Sequence, residues 1–306
     1  MKRVTPIISP PSLIKGDAIG LVAPARKISE QELAKAIEII KNRGYRVLKS
    51  PNLFASENQF AGSDAVRASD MQQMLENPEV KAIFAVRGGY GSVRMVDKID
   101  FRPLIRHPKW LAGYSDFTVI HNHLIHLGLQ SLHATMPLNF AGNTPEALDS
   151  LFDTLEGEKP HYAWKRKPLN RKGNANGILA GGNLSVLYSL LGSPSFPDTH
   201  GKVLFLEDLD EYLYHIDRMM MALKRAGILE NLAGLVVGGL TDMHDNAIPF
   251  GKTAKEILHE SVESFNFPVA FDFPAGHQPD NRALIMGAEV QLEVTETGSV
   301  LDFKKC

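Results

Sequence analysis

Along residues 18–155, apolar runs of strand length alternate with stretches whose apolar residues recur at helical spacing. Residues 18–25 (A-I-G-L-V-A-P-A) read as a buried strand, and Leu33, Ile37 and Ile40 line one face of a helix over 28–43. A short strand at 46–50 precedes an amphipathic helix at 64–76, and V-K-A-I-F-A-V at 80–86 is a strong strand. The series continues with helix 93–99, strand 110–114, helix 117–127, strand 131–135 and helix 145–155. Such alternation predicts an α/β fold with a doubly wound parallel sheet. Ligands of these sheets sit beyond the carboxyl ends of the strands. Two loops fall there, Arg87-Gly88-Gly89-Tyr90-Gly91 and Gly113-Tyr114-Ser115-Asp116.

The pattern then changes. Residues 157–176 are polar, carry Pro160 and Pro168 and show little periodicity, so they read as a linker between domains at 1–156 and 177–306. In the second domain, strand 177–182 enters a glycine turn and helix 184–191 follows. Strand 202–206 runs into the acidic cluster Glu207-Asp208-Leu209-Asp210-Glu211, and helix 212–225 follows with Leu213, Ile216, Met220 and Leu223 on one face. Strand 235–240, helix 254–265 and strand 269–273 lead to Pro274-Ala275-Gly276-His277, and antiparallel strands at 283–294 and 300–303 close a mixed α/β domain. A chain of 306 residues can bury about three quarters of the surface it exposes when unfolded, enough for two such domains.

Composition narrows the classes of function. A net charge of -2 predicts no attraction to nucleic acid or anionic membrane, and no apolar run approaches the roughly 20 residues of a membrane span. The N-terminal stretch M-K-R-V-T-P-I-I-S-P-P lacks the apolar core of a signal peptide. A single cysteine, Cys306, excludes an intramolecular disulfide and a cysteine-based metal site and fits a reducing compartment. A cytoplasmic protein is expected.

Ser115 stands where a strand meets a helix through one tight turn, the context that lifts a hydroxyl out of a sheet and aims the amide of the next residue, Asp116, at its target. The usual G-x-S-x-G has Phe117 at its fifth position here, so the match is partial. A serine nucleophile needs a base and a group that orients the base. His277, in a loop directly after a strand, suits the base, although a solvated loop histidine would look the same. Glu207 sits where the strand V-L-F-L ends, as an active-site carboxylate would; Asp210 and Glu211 fit a solvated cluster at a helix N-terminus. The glycines at 88 and 89 allow backbone N–H groups to approach a ligand, as an oxyanion hole requires.

Other motifs are weaker. Ser12-Leu13-Ile14-Lys15 spells S-x-x-K, but Pro10-Pro11 and Gly16 flank it and no S-D-N or K-T-G partner is present. Gly251-Lys252-Thr253 resembles the end of a phosphate loop whose first glycine is replaced by Asn246. His121, His123 and His126 fall on different sides of a helix, so no metal is expected there. Met219, Met220 and Met221 read as helix core and neighbours.

Taken together, R-G-G-Y-G, G-Y-S-D, G-x-L-x-G-G-N-L at 177–184, L-E-D-x-x-E-x-x-x-x-I-D-R-M at 206–219 and the final G-H resemble the LD-carboxypeptidase family over essentially the whole chain. That family comprises serine peptidases of murein recycling and the related microcin C immunity proteins. The resemblance implies a triad of Ser115, His277 and Glu207, choosing Glu207 over Asp208, and an oxyanion hole from the amides of Asp116 and the Gly88-Gly89 turn. It implies a flavodoxin-like N-terminal domain, a swivelling-type C-terminal domain, no cofactor, no metal, a small muropeptide as substrate and a homodimer in the cytoplasm. The expected activity is removal of the terminal D-Ala from murein tetrapeptide. A carboxypeptidase must also hold a free carboxylate, for which Arg87 and Arg282 are candidates. The alternatives are an immunity-type hydrolase of an aminoacyl-nucleotide, whose purine platform neither Trp110 nor Trp164 is obviously placed to supply, and an inactive peptide-binding protein.

Overall fold

The computed structural model describes residues 7–304; Cys306 and the first six residues of the stretch read above for a leader lie outside the described residues. The first half contains β1 (Ala18–Val22), α1 (Glu30–Asn42), β2 (Arg46–Lys49), α2 (Asp64–Glu76), β3 (Val80–Ala85), the short α3 (Ser92–Met95) and α4 (Pro103–Arg106), β4 (Trp110–Gly113), α5 (Thr118–His126), β5 (Ser131–His133) and α6 (Pro145–Leu155). The second half contains β6 (His161–Lys165), β7 (Gly173–Asn183), α7 (Leu184–Ser189), β8 (Val203–Leu209), α8 (Leu213–Arg225), β9 (Gly234–Thr241), α9 (Ala254–Val262), β10 (Val269–Ala270), β11 (Leu284–Met286), β12 (Glu289–Val294) and β13 (Gly298–Phe303).

The helices begin where their caps dictate. Ser29 and Thr253 each form a reciprocal capping box, with Glu32 and Glu256, and Thr144 caps α6 just before Pro145 at its first turn. The Thr253 box accounts for the Gly251-Lys252-Thr253 motif as a helix start. No helix among the described residues is long and apolar enough to cross a membrane.

Two sheets form. The first has the order β11-β5-β4-β3-β1-β2, parallel from β5 to β2, as the alternation predicts for a doubly wound sheet. The second has the order β10-β9-β8-β7-β12-β13-β6, parallel from β10 to β7 and antiparallel beyond. One continuous apolar core includes Leu21 and Phe84 of the first sheet and Phe205, Val236 and Phe273 from the second half. Burial of apolar surface at about 25 cal/mol per Å² therefore holds the halves together as well as each half alone.

Three segments differ from the sequence expectation. The stretch read as a linker carries β6, an edge strand paired with β13, whose inward residues Tyr162 and Trp164 donate to the carbonyls of Ala283 (2.6 Å) and Phe271 (2.9 Å). Two inward side chains amid charged neighbours give too short a period to stand out. Strand β7 starts at Gly173 rather than 177, because Ala175 pairs with Leu292 of β12 in an otherwise polar run. The tail is not one antiparallel unit: β11 leaves the second half and pairs antiparallel with β5, completing the edge of the first sheet.

Candidate active site

The turn after β4 is built around close contacts. Gly113 lies so near the Phe117 ring that a β-carbon there would fall 2.8 Å from it. The Phe117 amide donates to the Tyr114 carbonyl at 3.1 Å, and Ser115 is held at φ 61°, a left-handed conformation that costs a residue with a β-carbon roughly 1–2 kcal/mol. Buried His121 anchors this turn. Its Nε2 donates to the Gly113 carbonyl (2.9 Å), its Nδ1 accepts from the Ser131 hydroxyl (2.8 Å), and burial lowers its pKa to about 4. His123 meets Ser195, His126 meets the Phe196 carbonyl, and among the described residues no group of three or more His, Cys, Asp or Glu side chains is placed to hold a metal.

His277 bridges the two halves. Its Nε2 lies 3.1 Å from Ser115 Oγ, oriented to accept the hydroxyl proton, and its Nδ1 donates to Glu207 Oε2 at 2.7 Å. Glu207 is fully buried inside β8, which continues past it to Leu209, at the point where the pairing register shifts between Leu206 and Asp208. The loop carrying His277 is tied down by Thr241 Oγ1, which donates to its carbonyl (3.1 Å), and by Asn281 Oδ1, which accepts from the Gly276 amide (2.9 Å). The Tyr114 ring packs against the imidazole with centroids 4.9 Å apart. Burial alone would push the His277 pKa down, but the charge and hydrogen bond of Glu207, with the charge of Asp208, outweigh it and leave the imidazole more basic than usual. Asp208, held by Asn183 Nδ2 (2.8 Å) and the Ser185 amide (2.9 Å), is raised to about 7 by burial and by the neighbouring Glu207 charge.

The glycine-rich loop closes the other side. A β-carbon on Gly88 would fall 3.2 Å from Ser115 Cβ and 3.4 Å from its Oγ. Among the described residues neither the Gly88 nor the Gly89 amide has a hydrogen-bond partner. The Asp116 carboxylate accepts from the amides of Gly91 (3.2 Å) and Ser92 (2.8 Å), so the loop is fastened to the serine turn itself. Buried Arg67 donates to the Gly91 carbonyl (2.9 Å) and to that of Pro24.

These loops frame an open cavity of about 500 Å³ with Ser115 and His277 in its wall. Its charged lining residues are Arg26 and Arg87 beside the glycine loop and Asp208, Asp210 and Glu211 opposite. Arg87 donates to the Lys27 carbonyl (3.1 Å) and pairs with Glu32. Arg282, the other candidate for a carboxylate, is ion-paired with Asp280 and lines a different cavity beside Tyr162. Lys15 of the S-x-x-K motif pairs with Glu156.

Sequence reasoning passed over the residues that dock the halves. Asn122 on α5 donates to the Gly181 carbonyl (2.9 Å) and accepts from the Gly181 amide (3.1 Å), and Thr118 Oγ1 accepts from the Asn183 amide (3.0 Å). Gly182, at φ 133°, has no room for a β-carbon, which would fall 2.5 Å from Thr118 Oγ1. The helix that follows Ser115 is thus locked onto the strand beside Glu207.

Comparison with known families bears on this arrangement. The LD-carboxypeptidase N-terminal domain model matches residues 19–134 and the LD-carboxypeptidase C-terminal domain model residues 176–292. The chain belongs to the LD-carboxypeptidase family. Among its relatives within that peptidase family is a probable murein peptide carboxypeptidase of Bacillus subtilis, 34% identical, with 96% of this chain and 94% of the relative aligned. The crystal structure of a muramoyltetrapeptide carboxypeptidase from Oxalobacter formigenes superimposes with a TM-score of 0.86 at 29% identity, covering 94% of this chain and 99% of that one. The microcin C7 self-immunity protein MccF of Escherichia coli is more distantly similar, 21% identical over 94% of this chain and 93% of its own length.

Proposed function

We propose that the chain is a serine carboxypeptidase that hydrolyses the L,D-peptide bond before the terminal D-Ala of murein tetrapeptide. The observation that carries this is the unbroken line from Ser115 Oγ through His277 to buried Glu207 at the wall of an open cavity. His277 takes the hydroxyl proton as Ser115 attacks the carbonyl of the L-centre of diaminopimelate or lysine. The oxyanion that develops is met by the amides of Gly88, Gly89 and Asp116, which act without reorganising. His277 then gives its proton to the leaving amine of D-Ala, and water resolves the acyl-enzyme by the same route in reverse. Glu207 keeps Nδ1 protonated, so that Nε2 is the atom facing the serine, and it stabilises the imidazolium.

The similarity to murein peptide carboxypeptidases supports this substrate over an aminoacyl-nucleotide. Neither indole lines the cavity: Trp110 donates to the Pro11 carbonyl and Trp164 to that of Phe271. Mass spectrometry of purified tetrapeptide after incubation tests the proposal. Conversion to tripeptide and free D-Ala is expected; an unchanged tetrapeptide, alongside cleavage of an aminoacyl-sulfamoyl nucleoside, would refute it.

A further inference from the structure

Four of the five charged side chains that line the active-site cavity are already engaged. Asp208 accepts from Asn183 and Ser185, Asp210 pairs with His244, Glu211 meets His215 at 2.5 Å, and Arg87 pairs with Glu32. Arg26 is the exception: among the described residues its guanidinium has no hydrogen bond or ion pair. It follows β1 in an exposed position, and its side chain lies across the glycine loop. A β-carbon on Gly89 would fall 2.6 Å from Arg26 Cδ and 2.7 Å from its Nε. Gly88, one residue nearer, touches Ser115, so the order in space runs from the nucleophile through the two glycines to the guanidinium.

From this arrangement we infer that Arg26 holds the free carboxylate of the residue being released and thereby makes the site an exopeptidase. This rests on the carboxypeptidase function proposed above. In a substrate ending in D-Ala, three bonds separate the carbonyl carbon under attack from the terminal carboxylate carbon, a span of at most about 4 Å. With the carbonyl oxygen turned toward the Gly88 and Gly89 amides, the carboxylate falls beside that loop, within reach of a long side chain already lying on it. A guanidinium matches a carboxylate with two parallel N–H donors, and one with no prior partner gives up only water to bind it. The glycine at 89 has a second use here, because any side chain would push Arg26 off the loop.

The test compares kcat/KM for tetrapeptide with a free C-terminal carboxylate and for the same peptide as its C-terminal amide. Wild-type protein, Arg26→Ala, Arg26→Lys and Arg87→Ala are each measured, with melting temperature as a folding control. The wild type should prefer the free acid by about 10- to 100-fold, the range of a charge-assisted hydrogen bond. Arg26→Ala should narrow that preference to about threefold or less, and Arg26→Lys should restore part of it. An unchanged acid-to-amide ratio in Arg26→Ala would overturn the assignment. So would an equal loss on both peptides, or collapse of the ratio in Arg87→Ala alone. If wild-type protein cleaves neither peptide, the murein proposal fails first and the role of Arg26 falls with it, whereas failure of Arg26 alone leaves tetrapeptide hydrolysis intact.

Discussion

Gly276 stands directly against Glu207: a β-carbon on the glycine would fall 2.7 Å from the carboxylate Oε2 and 2.8 Å from Glu207 Cβ. The glycine also holds φ 108°, a conformation side chains rarely adopt. The same Oε2 receives the His277 hydrogen bond, so crowding at 276 displaces the group that orients the imidazole. Gly276→Ala should therefore lower kcat/KM at least about 100-fold, the effect of a displacement near 1 Å. It should also destabilise the fold by roughly 1–3 kcal/mol. Activity within threefold of wild type in a folded variant would contradict the role given to this contact.

The pH dependence follows from the same pair. His277 must be neutral to accept the serine proton, and its net shift is upward from 6.5 because Glu207 and Asp208 outweigh the burial that alone would lower it. The acidic limb of kcat/KM should thus have its midpoint above 6.5, with activity lost as pH falls through it. Asp208, at about 7, gains a proton over the same range and weakens its own contribution. Glu207→Gln should move the limb to lower pH as well as slow the reaction. A rate that is flat between about pH 5 and 8 would argue against a histidine base.

Asn122, fully buried on α5, joins the halves with two hydrogen bonds to Gly181 and makes a third, at 2.8 Å, to the Thr118 carbonyl of its own helix. Asn122→Ala leaves the Gly181 amide and carbonyl buried without these partners, at a cost of about 1–3 kcal/mol. A lower melting temperature and a reduced kcat are both expected, since Ser115 and Glu207 lose their common anchor. Thermal denaturation with parallel kinetics checks this. An unchanged melting temperature would show that the halves dock without it.

In the reaction proposed above, the glycine loop and His277 select which face of a carbonyl meets Ser115, so the configuration at the acyl centre should matter. Inverting that centre places its side chain where the hydrogen should be and moves the carbonyl off the amides. Tetrapeptide should lose D-Ala, whereas pentapeptide ending in D-Ala-D-Ala should be cut at least about 100-fold more slowly. Competitive hydrolysis followed by chromatography measures the ratio. Equal turnover of the two would contradict an L,D-specific site.

Much of this fold is legible where local chemistry sets the boundaries. Helices α2 and α6 run over 64–76 and 145–155, the spans their apolar spacing predicts, because Ser63 and Thr144 cap them locally. Strand β6 escapes notice because only Tyr162 and Trp164 face inward, and β11 cannot be assigned to the first sheet because its partner β5 lies far away in sequence. In the site, Ser115 follows β4 as the sequence marks, whereas Glu207 lies inside β8, which runs on to Leu209, and His277 stands in the loop after β10. What separates Glu207 from Asp208 is the register shift in β8, which leaves no trace in composition. Arg282 offers a cation from sequence but is ion-paired with Asp280, while Arg26 lines the cavity with no ion pair among the described residues. Asn122 gives no signal at all, since its partner is 59 residues away.

The central claim is that Ser115 is the nucleophile, and labelling with a fluorophosphonate, mapped by peptide mass spectrometry, tests it most directly. The account predicts a single adduct on Ser115, formed in wild-type protein and abolished in His277→Ala, with Ser115→Ala lowering kcat on tetrapeptide by about 10⁴- to 10⁶-fold at an unchanged melting temperature. An adduct on Ser12 or another residue, or a Ser115→Ala variant that keeps more than about a tenth of wild-type activity, would contradict it.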